Sequence, residues 1–190
     1  MVESVDTPDL KSVGLMPVGV QVSLALSVKV KIMIEIIDNF LEESDLKSFY
    51  NFCLKAPYFY GEKDAPYAPP TGLITPINEE NFWFEFFKQR CENKFNMQQK
   101  IYRMYINLFL PNEKPYYHID GTGNDKTLLF YPNPNFNLDQ GGETKFIVNN
   151  EIKGVLPIPN RAILFNANIK HCATPFRDKS RFTLAIKYAS

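Results

Sequence analysis

The apolar positions change rhythm along this chain. Leu46, Phe49, Tyr50 and Cys53 recur at helical spacing and predict a helix over Glu43–Lys55. Phe82, Trp83, Phe86, Phe87 and Cys91 form the broad apolar face of a second predicted helix, 79–95, with Asn78 as its N-cap. That aromatic stripe reads as packing against a sheet rather than as a ligand box. Between the helices, 56–77 carries Pro57, Pro66, Pro69, Pro70 and Pro76 among Tyr58, Tyr60 and Tyr67. So many prolines exclude a regular element there, leaving either a functional lid or a rigid surface loop. From Ile101 onward the apolar runs shorten and alternate, predicting strands over 102–110, 116–120, 127–131, 144–148, 155–158, 162–165 and 182–188. Pro111-Asn112, 121–123, 132–134, Gly141-Gly142 and Pro159-Asn160 supply the turns. Short strands at this spacing after two helices predict a mainly β (α+β) chain, a sandwich or jelly roll, with no internal repeat.

The first 32 residues read differently. The apolar stretch 13–30 is broken by Pro17, Gly19, Gln21 and Ser23 and flanked by Lys11 and Lys29, unlike the roughly 20 uninterrupted apolar residues of a membrane helix. Glu3, Asp6 and Asp9 make the start acidic, whereas a secretory signal opens basic. Residues 28–32 alternate as an edge strand would. Residues 1–32 are therefore an expected extension, and 33–190 a single domain with its β core at about 101–190. Met33 is an alternative natural start, because Ile34 to Leu41 reads as a domain opening.

Composition narrows the function classes. At 190 residues one domain can bury a proper core, and 14% aromatic residues supply its walls. Lys+Arg and Asp+Glu both number 21, so no global field draws the chain to nucleic acid or to an anionic membrane. Cys53, Cys91 and Cys172 are an odd number without a CxxC pair, which suits reduced thiols and a cytoplasmic setting. Cys172 beside His171 reads as a small buried hydrophobe.

The chain has only two histidines, in Tyr117-His118-Ile119-Asp120 and in Lys170-His171-Cys172. On a strand, His118 and Asp120 share a face, and His171 from a later strand would complete two imidazoles and a carboxylate. Such a 2-His-1-carboxylate face leaves metal positions open and suits non-haem Fe(II). An HxD triple alone arises easily by chance. However, Arg181-Phe182-Thr183 follows ten residues after His171 in the terminal strand, with Arg181 and Thr183 on one face. A guanidinium there offers a forked donor pair for a carboxylate.

Taken in order, His118-x-Asp120, Gly141-Gly142-Glu143, His171 and Arg181-x-Thr183 resemble the Fe(II)/2-oxoglutarate-dependent dioxygenases, in their prolyl-4-hydroxylase-like branch. The resemblance spans 106–188. It includes Ile106 to Pro111 before HxD, Thr127 to Asn133 with Tyr131, Gly141 to Thr144, and 162–165 before the distal histidine. It implies a double-stranded β-helix (jelly roll) with the N-terminal helices packed on the outside of one sheet. It also implies His118, Asp120 and His171 as iron ligands, Arg181 as the anchor of the distal 2-oxoglutarate carboxylate, and Thr183 as a supporting hydroxyl. Tyr131 is either a second contact to that carboxylate or a core aromatic. The glycines permit a turn, and Glu143 is not a ligand.

The implied reagents are Fe(II), 2-oxoglutarate and O2, with room for ascorbate. Asp120 argues for hydroxylation over halogenation, because related halogenases have a small residue there. Phe109 stands where the family commonly has Tyr, leaving Tyr105, Tyr116 and Tyr117 as replacements, and Pro132 replaces a usual Leu. AlkB-type demethylases carry R-x5-R, whose second position is Lys187 here. Neither nucleic acid nor membrane is expected as a partner. The expected substrate is a prolyl residue in a peptide or protein, or else a small molecule such as a free amino acid. A non-catalytic jelly-roll metal-binding protein and a cupin-like metal enzyme are the remaining rivals.

Overall fold

The computed structural model describes residues 34–70 and 72–190. The expected extension 1–32, its edge strand at 28–32 and the alternative start at Met33 lie outside the described residues. In chain order the elements are β1 (Ile34–Ile37), α1 (Glu43–Lys55), β2 (Phe59–Glu62), β3 (Gly72–Pro76), α2 (Phe82–Phe95), β4 (Lys100–Phe109), β5 (Lys126–Tyr131), β6 (Thr144–Val148), β7 (Glu151–Val155), β8 (Arg161–Asn166), β9 (His171–Ala173) and β10 (Arg181–Ala189). They form a seven-stranded sheet in the order β1-β8-β5-β10-β4-β3-β2 and a three-stranded sheet β7-β6-β9. Every pairing is antiparallel.

The period of two divides the large sheet into two faces with different work. Along β10, Phe182, Leu184, Ile186 and Tyr188 join Met104 and Ile106 of β4, Leu128 and Phe130 of β5 and Leu164 of β8 against the helices. Phe40, Phe49, Cys53, Trp83, Phe87 and Cys91 complete that core. On the opposite face Tyr105, Leu129, Tyr131, Ile163, Phe165 and Ala185 meet Phe146 and Val148 of the small sheet. Between those two sheets the site residues Arg181, Thr183 and Lys187 alternate with the helix-facing positions. The expected jelly-roll class is therefore present, and residues of both helices share a core with one face of the large sheet.

Several boundaries differ from the sequence reading. The proline-rich segment contains β2 and β3, and Pro76 is tolerated because it ends its strand. The second helix starts at Phe82, not at 79, since Asn81 rather than Asn78 caps it by accepting from the Trp83 amide at 2.9 Å. Residues 116–120 are not a strand: only His118 forms an isolated bridge, to His171. The strand expected at 155–158 lies earlier, as β7, in a hairpin with β6. Asn149 and Asn150 both take positive φ there, 53° and 62°, as a tight two-residue turn requires.

Gly142 is needed at its turn for two reasons. Its φ is +86°, and an added Cβ would lie 2.5 Å from Cε1 of the fully buried Phe176. Gly142→Ala should cost about 3 kcal/mol from overpacking and left-handed strain. Thermal unfolding should then show a midpoint about 10 °C lower.

Candidate metal centre

The site is built where the two sheets open. His118 and His171 exchange backbone hydrogen bonds of 2.9 Å in both directions, which sets their side chains side by side with ring centroids 4.5 Å apart. Asp120 follows two residues after His118. Its amide donates to Ala167 O at 2.8 Å, tying the segment to the turn after β8. One donor atom each from His118, Asp120 and His171 lies within 4.8 Å of the others. The three residues that the sequence reading grouped thus lie together, although a single bridge replaces the predicted strand.

Hydrogen bonding fixes which atoms face inward. His118 Nδ1 meets Tyr116 O at 3.0 Å, and His171 Nδ1 meets Ile169 O at 2.9 Å. A carbonyl only accepts, so each Nδ1 carries the proton and each Nε2 offers a lone pair. The two Nε2 atoms stand 3.4 Å from Asp120 Oδ1 and Oδ2 respectively. Burial pushes His171 down to about 4, so it is neutral near pH 7. For His118 burial acts in the same direction, but Asp120 outweighs it and raises the group. Burial alone would raise Asp120, yet Lys187 and His118 hold its carboxyl far below the usual range. Two imidazole nitrogens and a carboxylate oxygen suit a divalent first-row metal with open positions.

Arg181 is the second unusual feature. It is fully buried, with its guanidinium carbon 5.0 Å from the Phe109 ring centroid and 5.2 Å from that of Tyr131. Nη2 donates to Thr144 Oγ1 at 3.3 Å, while Nε and Nη1 find no partner among the described residues. Buried donors are normally satisfied, so these two await an acceptor. Thr183 Oγ1 is likewise buried without a partner. Tyr131 is fully buried, and its hydroxyl shares a 2.7 Å hydrogen bond with Thr144 Oγ1. Thr144 therefore joins Tyr131 to Arg181. The sequence reading places Thr144 at the end of a turn motif and the start of a strand, and no spacing rule pairs β6 with β5 and β10.

A cavity of about 280 Å³ borders the donor triad, lined among others by His118, Asp120, His171, Asn107, Thr183 and Lys187. The β4–β10 register shifts between Lys187 and Tyr188, leaving Tyr102 as the extra residue. A bulge re-aims side chains, and Tyr102 and Arg103 both reach the cavity wall. Of the three tyrosines weighed as replacements at Phe109, Tyr105 lines this cavity. Tyr116 and Tyr117 border other hollows. Glu143 accepts from Thr174 Oγ1 at 3.1 Å and takes no part in the donor triad. Lys187, Thr127 and Tyr102 are site residues that the sequence reading did not assign.

No family model matches the chain, and no curated protein matches it. Solved structures do. A Pseudomonas putida prolyl-4-hydroxylase superposes with a TM-score of 0.66 at 12% identity, covering 83% of this chain and 92% of its own. A Trichoplax adhaerens prolyl hydroxylase, in complex with a hypoxia inducible factor peptide fragment, gives 0.66 at 20% identity over 82% of each chain. HygX from Streptomyces hygroscopicus, with nickel, 2-oxoglutarate and hygromycin B bound, gives 0.65 at 10% identity over 83% of each. At these identities the likeness is one of fold: this chain has the jelly-roll fold of the prolyl-4-hydroxylases and other 2-oxoglutarate–Fe(II) oxygenases.

Proposed function

We propose that this chain is an Fe(II)- and 2-oxoglutarate-dependent dioxygenase that hydroxylates a C–H bond, with a prolyl residue of a peptide as substrate. One observation carries the reading. A 2-His-1-carboxylate donor set borders a cavity that Thr183 of β10 also lines, and Arg181, two residues earlier on the same strand, is buried with two N–H groups that find no partner among the described residues. A structural metal or a cupin-like centre needs no such arginine. His118, Asp120 and His171 hold the iron, Arg181 takes the distal carboxylate of the 2-oxo acid, and Tyr131 and Thr183 support it. When bound, iron and 2-oxoglutarate would supply, with O2 as oxidant, oxidative decarboxylation to succinate and CO2, one oxygen atom entering succinate and the other the substrate C–H bond.

The chain's own tasks are positional. Backbone carbonyls keep both imidazoles in the tautomer that presents Nε2. Arg181 is desolvated, which strengthens its attraction for a carboxylate. Leu129, Tyr105 and Ala185 form an apolar part of the wall that limits water.

A peptide substrate is favoured by a second hollow of about 290 Å³, lined by Ala65, Pro66, Tyr67 and Tyr117, which shares Asp64, His118 and Ile119 with the metal cavity. Such a continuation suits an extended chain better than a single amino acid. Segment 56–77 forms part of this wall: Tyr67 Oη donates to Tyr117 O at 2.9 Å, and Asp64 accepts from the Tyr116 amide at 2.8 Å. A cytoplasmic location is proposed on the three free, buried cysteines. Among the described residues no helix is long and apolar enough to cross a membrane. The proposed oxygenase domain is 33–190.

Anaerobic Fe(II) and 2-oxoglutarate should together give a visible charge-transfer band, and admitting O2 should release succinate. Absence of both in the wild-type protein overturns the reading. Arg181→Met should keep iron binding but weaken 2-oxoglutarate by about 100-fold, as expected on losing charge-assisted hydrogen bonds worth about 3 kcal/mol. Matched peptides with and without proline, and free proline, then test the substrate by gain of one oxygen atom. Turnover of the free amino acid alone would replace the peptide assignment.

A further inference from the structure

Asp120 is gripped by a cross-strand pair. Thr127 of β5 and Lys187 of β10 stand directly opposite each other in the ladder, and both are buried. Thr127 Oγ1 donates to Asp120 Oδ2 at 2.7 Å. The Lys187 ammonium contacts the same oxygen. Two donors use both lone pairs of Oδ2. Each oxygen also has an imidazole at 3.4 Å, His118 Nε2 for Oδ1 and His171 Nε2 for Oδ2, and both rings would turn to the metal; the Thr127 and Lys187 donors fall on Oδ2 alone.

A buried ion pair is a poor stabilising device, because desolvating two charges offsets most of their attraction. An apolar side chain would pack beside Tyr105, whose ring centroid lies 5.9 Å from the Lys187 nitrogen, at less cost. A lysine at this position therefore calls for another explanation, and the geometry supplies one. A carboxylate can bind a metal through one oxygen or two, whereas a 2-His-1-carboxylate site works by keeping positions open.

We infer that Lys187 is a positioning residue which, with Thr127, withholds Oδ2 so that Asp120 offers a metal Oδ1 alone. The inference rests on the iron and 2-oxoglutarate reading above. Its consequence is a metal with room for both chelating oxygens of the 2-oxo acid. Without the ammonium, Oδ2 is free to turn inward and compete for one of those places.

Cobalt(II) is a suitable probe, since its visible bands respond to coordination number. Wild-type, Lys187→Met, Lys187→Arg and Thr127→Val proteins are titrated with cobalt(II) and then with 2-oxoglutarate, with circular dichroism to verify folding. Wild type and Lys187→Arg should share one cobalt spectrum. Lys187→Met should bind cobalt with altered bands and bind 2-oxoglutarate at least about 10-fold more weakly, the scale typical of residues that orient a metal ligand. A folded Lys187→Met with the wild-type spectrum and 2-oxoglutarate affinity overturns the inference while leaving the metal reading intact. If Lys187→Met does not fold, a wild-type spectrum in Thr127→Val counts against it. Wild-type protein that binds no cobalt overturns both.

Discussion

Asp120→Ala should abolish iron-dependent turnover, with a loss of at least about 10³-fold, equivalent to about 4 kcal/mol. The variant removes the only anion among the three donors, so two neutral imidazoles remain to neutralise a divalent cation. It should also unsettle the fold. Lys187 would keep its charge in a buried place with no carboxylate opposite, and removing one partner of a buried pair costs about 3–5 kcal/mol. Two further variants separate these effects. Asp120→Asn keeps a hydrogen-bond acceptor for Thr127 and for Lys187 but no charge, so it should lose less stability than Asp120→Ala and still bind metal poorly. Adding Lys187→Met to Asp120→Ala should recover much of the lost stability and none of the metal binding. Isothermal titration with cobalt(II) and urea unfolding measure the two quantities independently. Recovery of metal binding in the double variant would contradict the donor assignment.

The sequence brought out the residues of this candidate site better than its scaffolding. With only two histidines in the chain, the choice of ring ligands was small. His118 and Asp120 share a face at any extended spacing, so placing them together did not depend on a true strand. The actual element is one bridge between His118 and His171, held by two reciprocal hydrogen bonds. Arg181 and Thr183 were legible because β10 alternates strictly between a core face and a site face. Helix α1 matched to the residue, since its apolar spacing has no competing register.

What stayed hidden depends on tertiary pairing. Thr127 and Lys187 meet Asp120 only because β5 and β10 are neighbours in the sheet. Tyr102 enters the site through a bulge, and a bulge leaves no periodic signal. Strand β7 is exposed at four of its five positions, so it shows no alternation to read. Strands β2 and β3 were masked by the prolines around them, although Pro57, Pro66, Pro69 and Pro70 all fall outside both strands. Two asparagines, Asn78 and Asn81, competed as the α2 cap, and the Asn81–Trp83 contact decides between them.

A stability effect of similar size should come from Phe49, far from the chemistry. Its ring is fully buried and lies 4.9 Å from Trp83, 4.7 Å from Phe87 and 6.0 Å from Phe130, centroid to centroid. It thereby joins α1 to α2 and to the helix-facing side of β5. Phe49→Ala should destabilise the fold by about 4 kcal/mol, combining lost transfer energy with a cavity that the surrounding aromatic rings cannot close. With a typical denaturant slope of about 2 kcal/mol/M, the urea midpoint should fall by about 2 M. Phe49→Leu, which keeps most of the volume, should lose less than half as much. The site lies across the sheet: Leu129, Tyr131 and Ala185 face the metal side, while Leu128, Phe130, Leu184 and Ile186 face Phe49. Below the unfolding transition, Phe49→Ala should therefore keep the wild-type cobalt spectrum and 2-oxoglutarate affinity. A changed spectrum in the folded variant would mean that the helices help set the ligand geometry through the sheet, and the separation of core and site faces argued from the strand alternation would fail.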